Sequence, residues 1–174
     1  MIERFITPKQ KAITSARAKK EKLCRWCGLD VHRLSPKRRT FCSDECVHEF
    51  SLRSSSAYMR QYIAKRDKYI CQICGLECKG FLQRMKRFIN EQGIKRKVSI
   101  RGESRKELEV EFFDMYNIEW INTQNRSTFY DIDHIQEVVR GGGQCGEENL
   151  RTVCLRCHRI ETARLRKELK KPSS

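Results

Sequence analysis

The chain has 174 residues and a formal net charge of +15, from 37 Lys and Arg against 22 Asp and Glu. This balance argues against an acidic metabolic enzyme and favours a polyanionic partner, either nucleic acid or an anionic membrane surface. No apolar run approaches the roughly 18–20 residues that cross a bilayer, and the first ten residues, MIERFITPKQ, lack the apolar core of a signal peptide. We therefore expect an intracellular protein without a membrane anchor.

A zinc finger is predicted behind a basic tail. Residues 1–23 are rich in Lys and Arg without apolar periodicity, so they are expected to be a tail. Two close cysteine pairs follow, separated by fourteen residues, and Gly28 closes the first pair. Tight turns that each present two thiolates suit a tetrahedral Zn²⁺. The cysteines of this predicted four-cysteine finger, which spans residues 24–50, are Cys24, Cys27, Cys42 and Cys46.

A helical pattern runs from Ser43 to about Asp67. Its apolar positions recur at helical spacing, and three serines at 54–56 interrupt it. Residues 51–70 are therefore predicted to form a connecting helix between the finger and a second domain over 71–174.

A second four-cysteine site is predicted to join distant parts of that second domain. One Cys-x-x-Cys pair lies near its start and another near its end, with 79 residues between them. Ten cysteines would also permit a disulfide framework, but the close pairs and the lack of a secretory segment favour zinc. The predicted ligands are Cys71, Cys74, Cys154 and Cys157, whereas Cys78 and Cys145 are left over as small buried residues.

The intervening residues, about 79–128, are predicted to form a helical insertion. Apolar residues from Phe81 to Ile89 follow the i, i+1, i+4, i+7, i+8 pattern of an amphipathic helix that ends at Gly93. Ser104 with Glu107 resembles a capping box at the start of a second helix that continues through Met115. Candidate phosphate contacts in the basic loop between these helices are Lys95, Arg96, Lys97 and Arg101.

After the insertion the pattern is strand, glycine-rich loop, strand and helix. Residues 131–150 carry a net charge of −4, which suits a divalent cation in a basic protein, although a solvated acidic loop would look the same. In the final helix, Leu165 and Leu169 are expected to face inward. Candidate phosphate contacts on or beside this helix are Arg156, Arg159, Arg164 and Arg166.

Four polar residues in this region form a candidate catalytic set. They are Asp133, His134, Asn149 and His158. The predicted topology brings the end of the first strand close to the start of the helix. Neighbours on a helix point about 100° apart, so Cys157 can bind structural zinc while His158 faces a second site. The other two histidines, His32 and His48, are predicted to be packed or surface residues.

The motifs CQICG, DIDHI, GGGQCGEENLRTVC and CLRCHRIE together resemble the HNH endonucleases, which share the ββα-metal fold. More narrowly, nearly the whole chain resembles the zinc-finger-plus-HNH module of the zinc-finger, Ran-binding-domain-containing annealing helicases of animals. The resemblance implies an α+β fold: a ββα-metal core over 71–174 with a four-cysteine zinc site, a helical insertion and an N-terminal four-cysteine finger.

The resemblance also implies roles for the candidate residues. His134 would be the general base, Asp133 and His158 would bind one catalytic Mg²⁺ or Mn²⁺, and Asn149 would hold the loop and the base in place. Two structural Zn²⁺ would complete the metal content. The substrate would be DNA, with a branched or forked duplex in repair or replication stress as the family's suggestion, and the products would carry 5′-phosphate and 3′-hydroxyl ends. A fused or associated helicase or ATPase would be a partner, and a eukaryotic protein would be nuclear.

Two alternatives stay open at this point. One is a zinc-containing nucleic-acid-binding module without activity, against which the complete catalytic set argues. The other is a homing or restriction-type HNH nuclease, which the N-terminal finger and the lack of further specificity domains disfavour.

Overall fold

The computed structural model describes residues 15–34, 36–143 and 146–170. They fall into two compact units, the first drawn from Met1–Lys65 and His134–Arg151 and the second from Arg66–Asp133 and Thr152–Ser174. The predicted tail up to residue 14 and Cys145 lie outside the described residues.

The described residues form seven α-helices and two strands. In chain order they are α1 Ser15–Glu21, α2 Val31–Leu34, α3 Asp44–Ser54, α4 Ser56–Arg66, α5 Phe81–Arg96, α6 Gly102–Asp114, β1 Tyr130–His134, β2 Leu150–Cys154 and α7 Leu155–Leu169. Short 3₁₀ turns at Val138–Arg140 and Glu147–Asn149 lie in the connection between the strands. The strands pair in a two-stranded antiparallel sheet, so the predicted α+β class is confirmed. No helix in this part of the chain is long and apolar enough to cross a membrane.

The first unit is built around a cysteine knuckle. Cys24 N donates to Leu29 O at 2.8 Å and Gly28 N donates to Cys24 O at 3.0 Å, with Gly28 at φ 76°. Cys24 and Val31 are fully buried, so the finger has a small core of its own. Ser43 caps α3, because its Oγ accepts from Cys46 N at 3.2 Å. As predicted from the serine run, the helical segment is interrupted where α3 ends at Ser54 and α4 begins at Ser56.

The second unit contains the same knuckle. Cys71 N donates to Leu76 O at 2.9 Å and Gly75 N donates to Cys71 O at 2.9 Å, with Gly75 at φ 74°. Both knuckles have the sequence Cys-x-x-Cys-Gly. The glycine follows the second cysteine because a positive φ strains residues that carry a Cβ.

An aromatic cluster forms the core of the second unit. Phe81 at the start of α5 stacks on Phe129, with ring centroids 4.1 Å apart, and both side chains are fully buried. Phe112 and Phe113 of α6 pack against the same Phe81 ring. Because Phe129 directly precedes β1, the two helices of the predicted insertion hold the start of that strand in position.

The predicted helix boundaries in the insertion need correction. Helix α5 continues past Gly93 to Arg96, and Lys97 ends it with φ 55°. Gly93 is buried because Ile100 packs on it: a Cβ there would lie 2.4 Å from Ile100 Cγ2. The glycine therefore serves close packing and does not terminate the helix. The predicted capping box is also wrong, since α6 begins at Gly102, ahead of Ser104.

The burial of two further residues can be compared with the prediction: it contradicts the prediction for Leu169 and confirms the one for Cys78. Leu169 was expected to face inward, but it is 58% exposed. The buried residues of α7 are Leu155 and Cys157 in its first turn, so the last turns of the helix lie outside the core. Cys78 is buried at 3% exposure, which confirms the prediction for this cysteine.

Candidate metal centres and active site

The predicted zinc ligands assemble into two tetrads. Within each, all four Sγ atoms lie within 4.8 Å of one another. The first tetrad is Cys24, Cys27, Cys42 and Cys46, and the second tetrad is Cys71, Cys74, Cys154 and Cys157.

Sulfur–sulfur distances in both tetrads fit a shared tetrahedral ion. The Sγ of Cys42 lies 3.5 Å from those of Cys27 and Cys46, and the Cys74 and Cys154 sulfurs are 3.7 Å apart. Zn–S bonds of about 2.3 Å in a regular tetrahedron place neighbouring sulfurs about 3.8 Å apart. A disulfide would require about 2.05 Å. Both tetrads could therefore hold zinc, and the geometry does not fit disulfides.

Each tetrad contains one thiol that ionises easily. Hydrogen bonding from the Cys154 thiol lowers the pKa of Cys71 to about 4, against the opposing effect of burial. Burial raises the pKa of Cys24, but backbone N–H groups including those of Cys27 and Cys42 outweigh it and lower that pKa to about 7. Burial raises the pKa of Cys157 to about 12. Because zinc binds thiolates, loading a tetrad releases the protons of its less acidic thiols.

The first turn of α7 carries His158 immediately after Cys157. His158 Nδ1 lies 3.3 Å from Asp131 Oδ2, and Arg126 Nη2 donates to the same oxygen at 2.6 Å. The hydrogen bond with Asp131 raises the pKa of His158; burial opposes this shift, and the charge of Asp133 adds to it. The second unit thus brings two carboxylates and one imidazole together.

Asp131 is the residue that the sequence prediction omitted from this set. Alternate residues of a strand share a face, so Asp131 and Asp133 lie on the same side of β1. That period-two spacing was visible in the motif DIDH. Only the tertiary structure shows that Asp131 is the carboxylate in contact with His158.

In the first unit, Asn149 holds the loop that follows His134. Its side chain is 1% exposed; Oδ1 accepts from Gln136 N at 2.7 Å, while Nδ2 donates to Gln136 O at 3.1 Å and Gly142 O at 3.0 Å. Its backbone carbonyl accepts from Ile135 N at 2.8 Å. The amide therefore fixes both ends of the segment from Ile135 to Gly142. His134 itself is half-buried at the end of β1.

Gly142 is required where the loop meets Asn149. A Cβ at this position would lie 1.8 Å from Gln136 O and 2.9 Å from Asn149 Nδ2. These atoms belong to the hydrogen-bonded contact described above, so they cannot move aside without breaking it. At Gly143 the nearest atom to an added Cβ is Val138 Cγ1 at 3.1 Å, which belongs to an exposed side chain.

The other two histidines lie outside the candidate catalytic set. His32 is exposed on the short helix α2. His48 packs on Tyr62 with ring centroids 4.4 Å apart, and its Nδ1 lies 3.0 Å from the Tyr58 hydroxyl.

The basic residues predicted to contact phosphate divide into engaged and available groups. Arg96 Nη1 and Nη2 each donate to Glu111 at 2.8 Å, and Arg164 donates to Glu161 and Glu168 at 2.9 and 3.2 Å. Lys97 and Arg101 cap α5 and α6, and Lys95 is exposed in the last turn of α5. Among the described residues, no ion pair is formed by Arg156, Arg159 or Arg166.

Charge is segregated around α7. At 100° per residue, five basic residues fall within an arc of about 100°, and the nearer edge of this arc lies about 80° from the direction of His158. Arg164, Glu161 and Glu168 lie on another part of the helix surface and neutralise one another. The basic stripe consists of Arg156, Arg159, Arg166, Lys167 and Lys170.

Comparison with known proteins agrees with the motifs. Residues 122–164 match the family model "HNH endonuclease". Over 128 residues, 74% of this chain, it is 34%, 32% and 33% identical to the DNA annealing helicase and endonuclease ZRANB3 of Bos taurus, Mus musculus and Homo sapiens. The chain spans 11% of the length of these relatives. No solved structure matches the chain significantly. The resemblance drawn from the motifs is confirmed.

Replacing Cys74 by Ser is expected to lower the zinc content of the purified protein from two ions per chain to one. Cys78→Ser is the matched control: burial raises the pKa of this thiol to about 12, so it stays protonated and outside the tetrad. The measurement is metal analysis of both variants. An equal loss of zinc from the two variants would contradict the assignment of ligands.

Gly142→Ala is expected to destabilise the loop after His134 by about 1–3 kcal/mol, because the new methyl group displaces Gln136 and Asn149. Gly143→Ala should stay within about 0.5 kcal/mol of the wild type, since Val138 can rotate away. Urea unfolding at constant excess zinc measures the free energy, and amide exchange at Gln136 reports the loop. Equal effects of the two substitutions would show that the Asn149 contact is not the constraint.

Proposed function

We propose that the chain is a divalent-metal-dependent endonuclease that hydrolyses DNA phosphodiester bonds, because residues 122–164 match the HNH endonuclease family model. The observation that carries the proposal is the contact of His158 with Asp131, one residue after a cysteine of the second tetrad. A metal ion bound by the second tetrad would fix the first turn of α7. This turn presents His158 as a partly exposed ligand of a second site.

The spacing of two donors in the second unit, Asp131 and His158, suits a hard divalent cation. Two ligands about 2.1 Å from an octahedral ion and at right angles to each other lie about 3.0 Å apart. The 3.3 Å separation of Asp131 Oδ2 and His158 Nδ1 is close to this value. Asp133 shares the face of Asp131 and supplies a further carboxylate. The family resemblance implies that Asp133 and His158 would hold the ion, whereas the carboxylate in contact with His158 is that of Asp131. An ion at these side chains would neutralise charge on the scissile phosphate and on the leaving 3′-oxygen.

His134 is proposed as the general base. An imidazole can act as a general base by accepting a proton from the attacking water. Attack of that water on phosphorus with departure of the 3′-oxygen leaves 5′-phosphate and 3′-hydroxyl ends. Asn149 acts as a positioning residue, because its side chain bonds the backbone of Gln136, two residues after His134.

The basic stripe of α7 is proposed to bind the phosphates that flank the cleaved bond. Its available arginines are Arg156, Arg159 and Arg166, whereas Arg164 is already paired with two glutamates. Such contacts bind the backbone without sequence information, so binding should depend steeply on salt. Lys95, Arg96, Lys97 and Arg101 stay predictions for weaker contacts on the insertion.

The biological setting follows from the relatives. The name of these relatives joins an annealing helicase to an endonuclease, and this chain matches only a small part of each. We infer a role in DNA repair on branched or forked DNA, with a helicase or ATPase as a fused or associated partner and, in a eukaryote, a nuclear location.

Cleavage of labelled forked DNA in Mg²⁺ or Mn²⁺ tests the activity. His134→Ala is expected to lower the rate by about 100-fold or more, because loss of a general base removes a factor of about 10²–10⁴. His32→Ala, on an exposed helix of the first unit, should cut as the wild type does. Zinc content and DNA affinity are measured on all three proteins. Binding without cleavage by the wild type under any divalent ion would instead favour the non-catalytic module.

The double variant Arg159→Ala/Arg166→Ala is expected to weaken DNA binding and to reduce the slope of log K against log salt by about 2, one unit for each lost phosphate contact. Arg164→Ala is the matched control, since Glu161 and Glu168 occupy this guanidinium. Fluorescence anisotropy over a salt series gives both quantities. A slope unchanged in the double variant would remove the stripe from the interface.

A further inference from the structure

A polar contact in the first unit links the zinc finger to the loop of the proposed general base. The first unit contains both the finger and the segment His134–Arg151. Between them, His48 Nε2 on α3 lies 3.9 Å from Glu147 Oε2. His48 follows Cys46 of the first tetrad by two residues, and Glu147 precedes Asn149 by two. Neither His48 nor Glu147 belongs to the tetrads or to the candidate catalytic set.

Two tyrosines of α4 hold His48 in one orientation. The imidazole packs on Tyr62 with ring centroids 4.4 Å apart, and its Nδ1 lies 3.0 Å from the Tyr58 hydroxyl. The two tyrosine rings are themselves stacked, with an angle of 11° between their planes. A neutral imidazole carries one ring proton, so donation from the Tyr58 hydroxyl to Nδ1 places that proton on Nε2. The N–H donor of His48 then faces Glu147.

The carboxylate of Glu147 presents a buried oxygen to this donor. Its Oε2 is shielded from solvent, although the side chain as a whole is 38% exposed. A buried carboxylate oxygen is stabilised by a nearby N–H group. At 3.9 Å the contact with His48 is longer than a hydrogen bond, so it contributes little to the stability of the whole fold. Its effect is expected to be local, on the position of the turn that Glu147 begins.

That turn connects Glu147 directly to the amide that holds the loop. Glu147 is the first residue of a three-residue 3₁₀ turn that ends at Asn149. Leu150 N donates to Glu147 O, and Asn149 N donates to Gly146 O at 3.3 Å. A turn closed in this way over so few residues moves as one piece. A shift of Glu147 therefore shifts Asn149, whose side chain bonds the backbone of Gln136.

We propose that His48 is a positioning residue that holds, through Glu147, the loop after His134. This inference rests on the proposed nuclease function, in which His134 is the general base. It gives the finger a role in catalysis that does not depend on contact with DNA. Displacing a catalytic group by about 1 Å can lower a rate by about 100-fold, so loosening the loop is expected to lower kcat by about tenfold.

The substitution His48→Phe tests the contact, because it keeps a ring on Tyr62 and removes both ring nitrogens. With forked DNA and Mg²⁺, kcat is expected to fall by about tenfold, whereas KM, DNA affinity and zinc content stay as in the wild type. Amide exchange at Gln136, measured without DNA, should become about tenfold faster. His32→Phe, on an exposed helix of the same unit, is the matched control and should change none of these quantities.

Two shorter side chains separate the nitrogen that matters from the packing of the ring. The amide of His48→Gln reaches the place of Nε2, whereas the amide of His48→Asn reaches only that of Nδ1. We therefore expect kcat and exchange close to the wild type for Gln and the full defect for Asn. Equal behaviour of the two variants would overturn the inference.

A double-mutant cycle with Glu147→Gln tests whether the two residues act through each other. If they do, the double variant His48→Phe/Glu147→Gln loses no more kcat than the more damaging single variant. Additive losses would show independent effects and overturn the inference. Cleavage by the wild type, with kcat and Gln136 exchange unchanged in His48→Phe, would leave the nuclease standing and remove the positioning role. Faster exchange in His48→Phe, with no cleavage by the wild type, would support the contact and refute the nuclease.

Discussion

The second tetrad is the constraint on which the rest of the structure depends. It joins the knuckle at Cys71 and Cys74 to the end of β2 and the first turn of α7, across 79 residues of sequence. The entropy lost on closing so long a loop grows only slowly with its length, so a large insertion can be accommodated at small additional cost. The insertion then contributes its own core, with Phe81 stacked on Phe129 just before β1. The second tetrad and the aromatic packing therefore meet at the same short stretch of sheet.

Charge accounts for the character of the proposed active site. The chain is strongly basic, yet β1 presents two carboxylates on one face, and they raise the pKa of His158. Two such carboxylates repel a phosphodiester at short range unless a cation lies between them. Arg126 offsets part of this charge through Asp131, but one guanidinium cannot neutralise two carboxylates and a phosphate. The proposed requirement for a divalent ion is thus supported by electrostatics as well as by the match to the HNH endonuclease family model.

Features set by local sequence were predictable, and features set by packing were not. The Cys-x-x-Cys-Gly knuckles, the interruption near Ser54 and the buried face of α5 follow from spacing and turn chemistry. The end of α5 was misplaced because Gly93 is a packing contact for Ile100, which a linear sequence does not reveal. Leu169 has helical spacing from Leu165 but lies beyond the core. The site shows the same division: metal-ligand spacings identified both tetrads, whereas the contact between Asp131 and His158 required the fold.

Residues that position the backbone are more buried than residues proposed for catalysis. The two groups therefore differ in how readily their roles can be predicted from the sequence. Asn149 is almost fully buried because every polar atom of its side chain bonds the loop after His134. The amide bonds one backbone donor and two backbone acceptors without introducing a charge, so burial costs little once all its bonds are made. His158, which is proposed to act on the substrate, is more than a third exposed. A histidine next to predicted cysteine ligands indicates a functional site from the sequence alone. The role of a buried asparagine becomes apparent only when the structure shows its three hydrogen bonds.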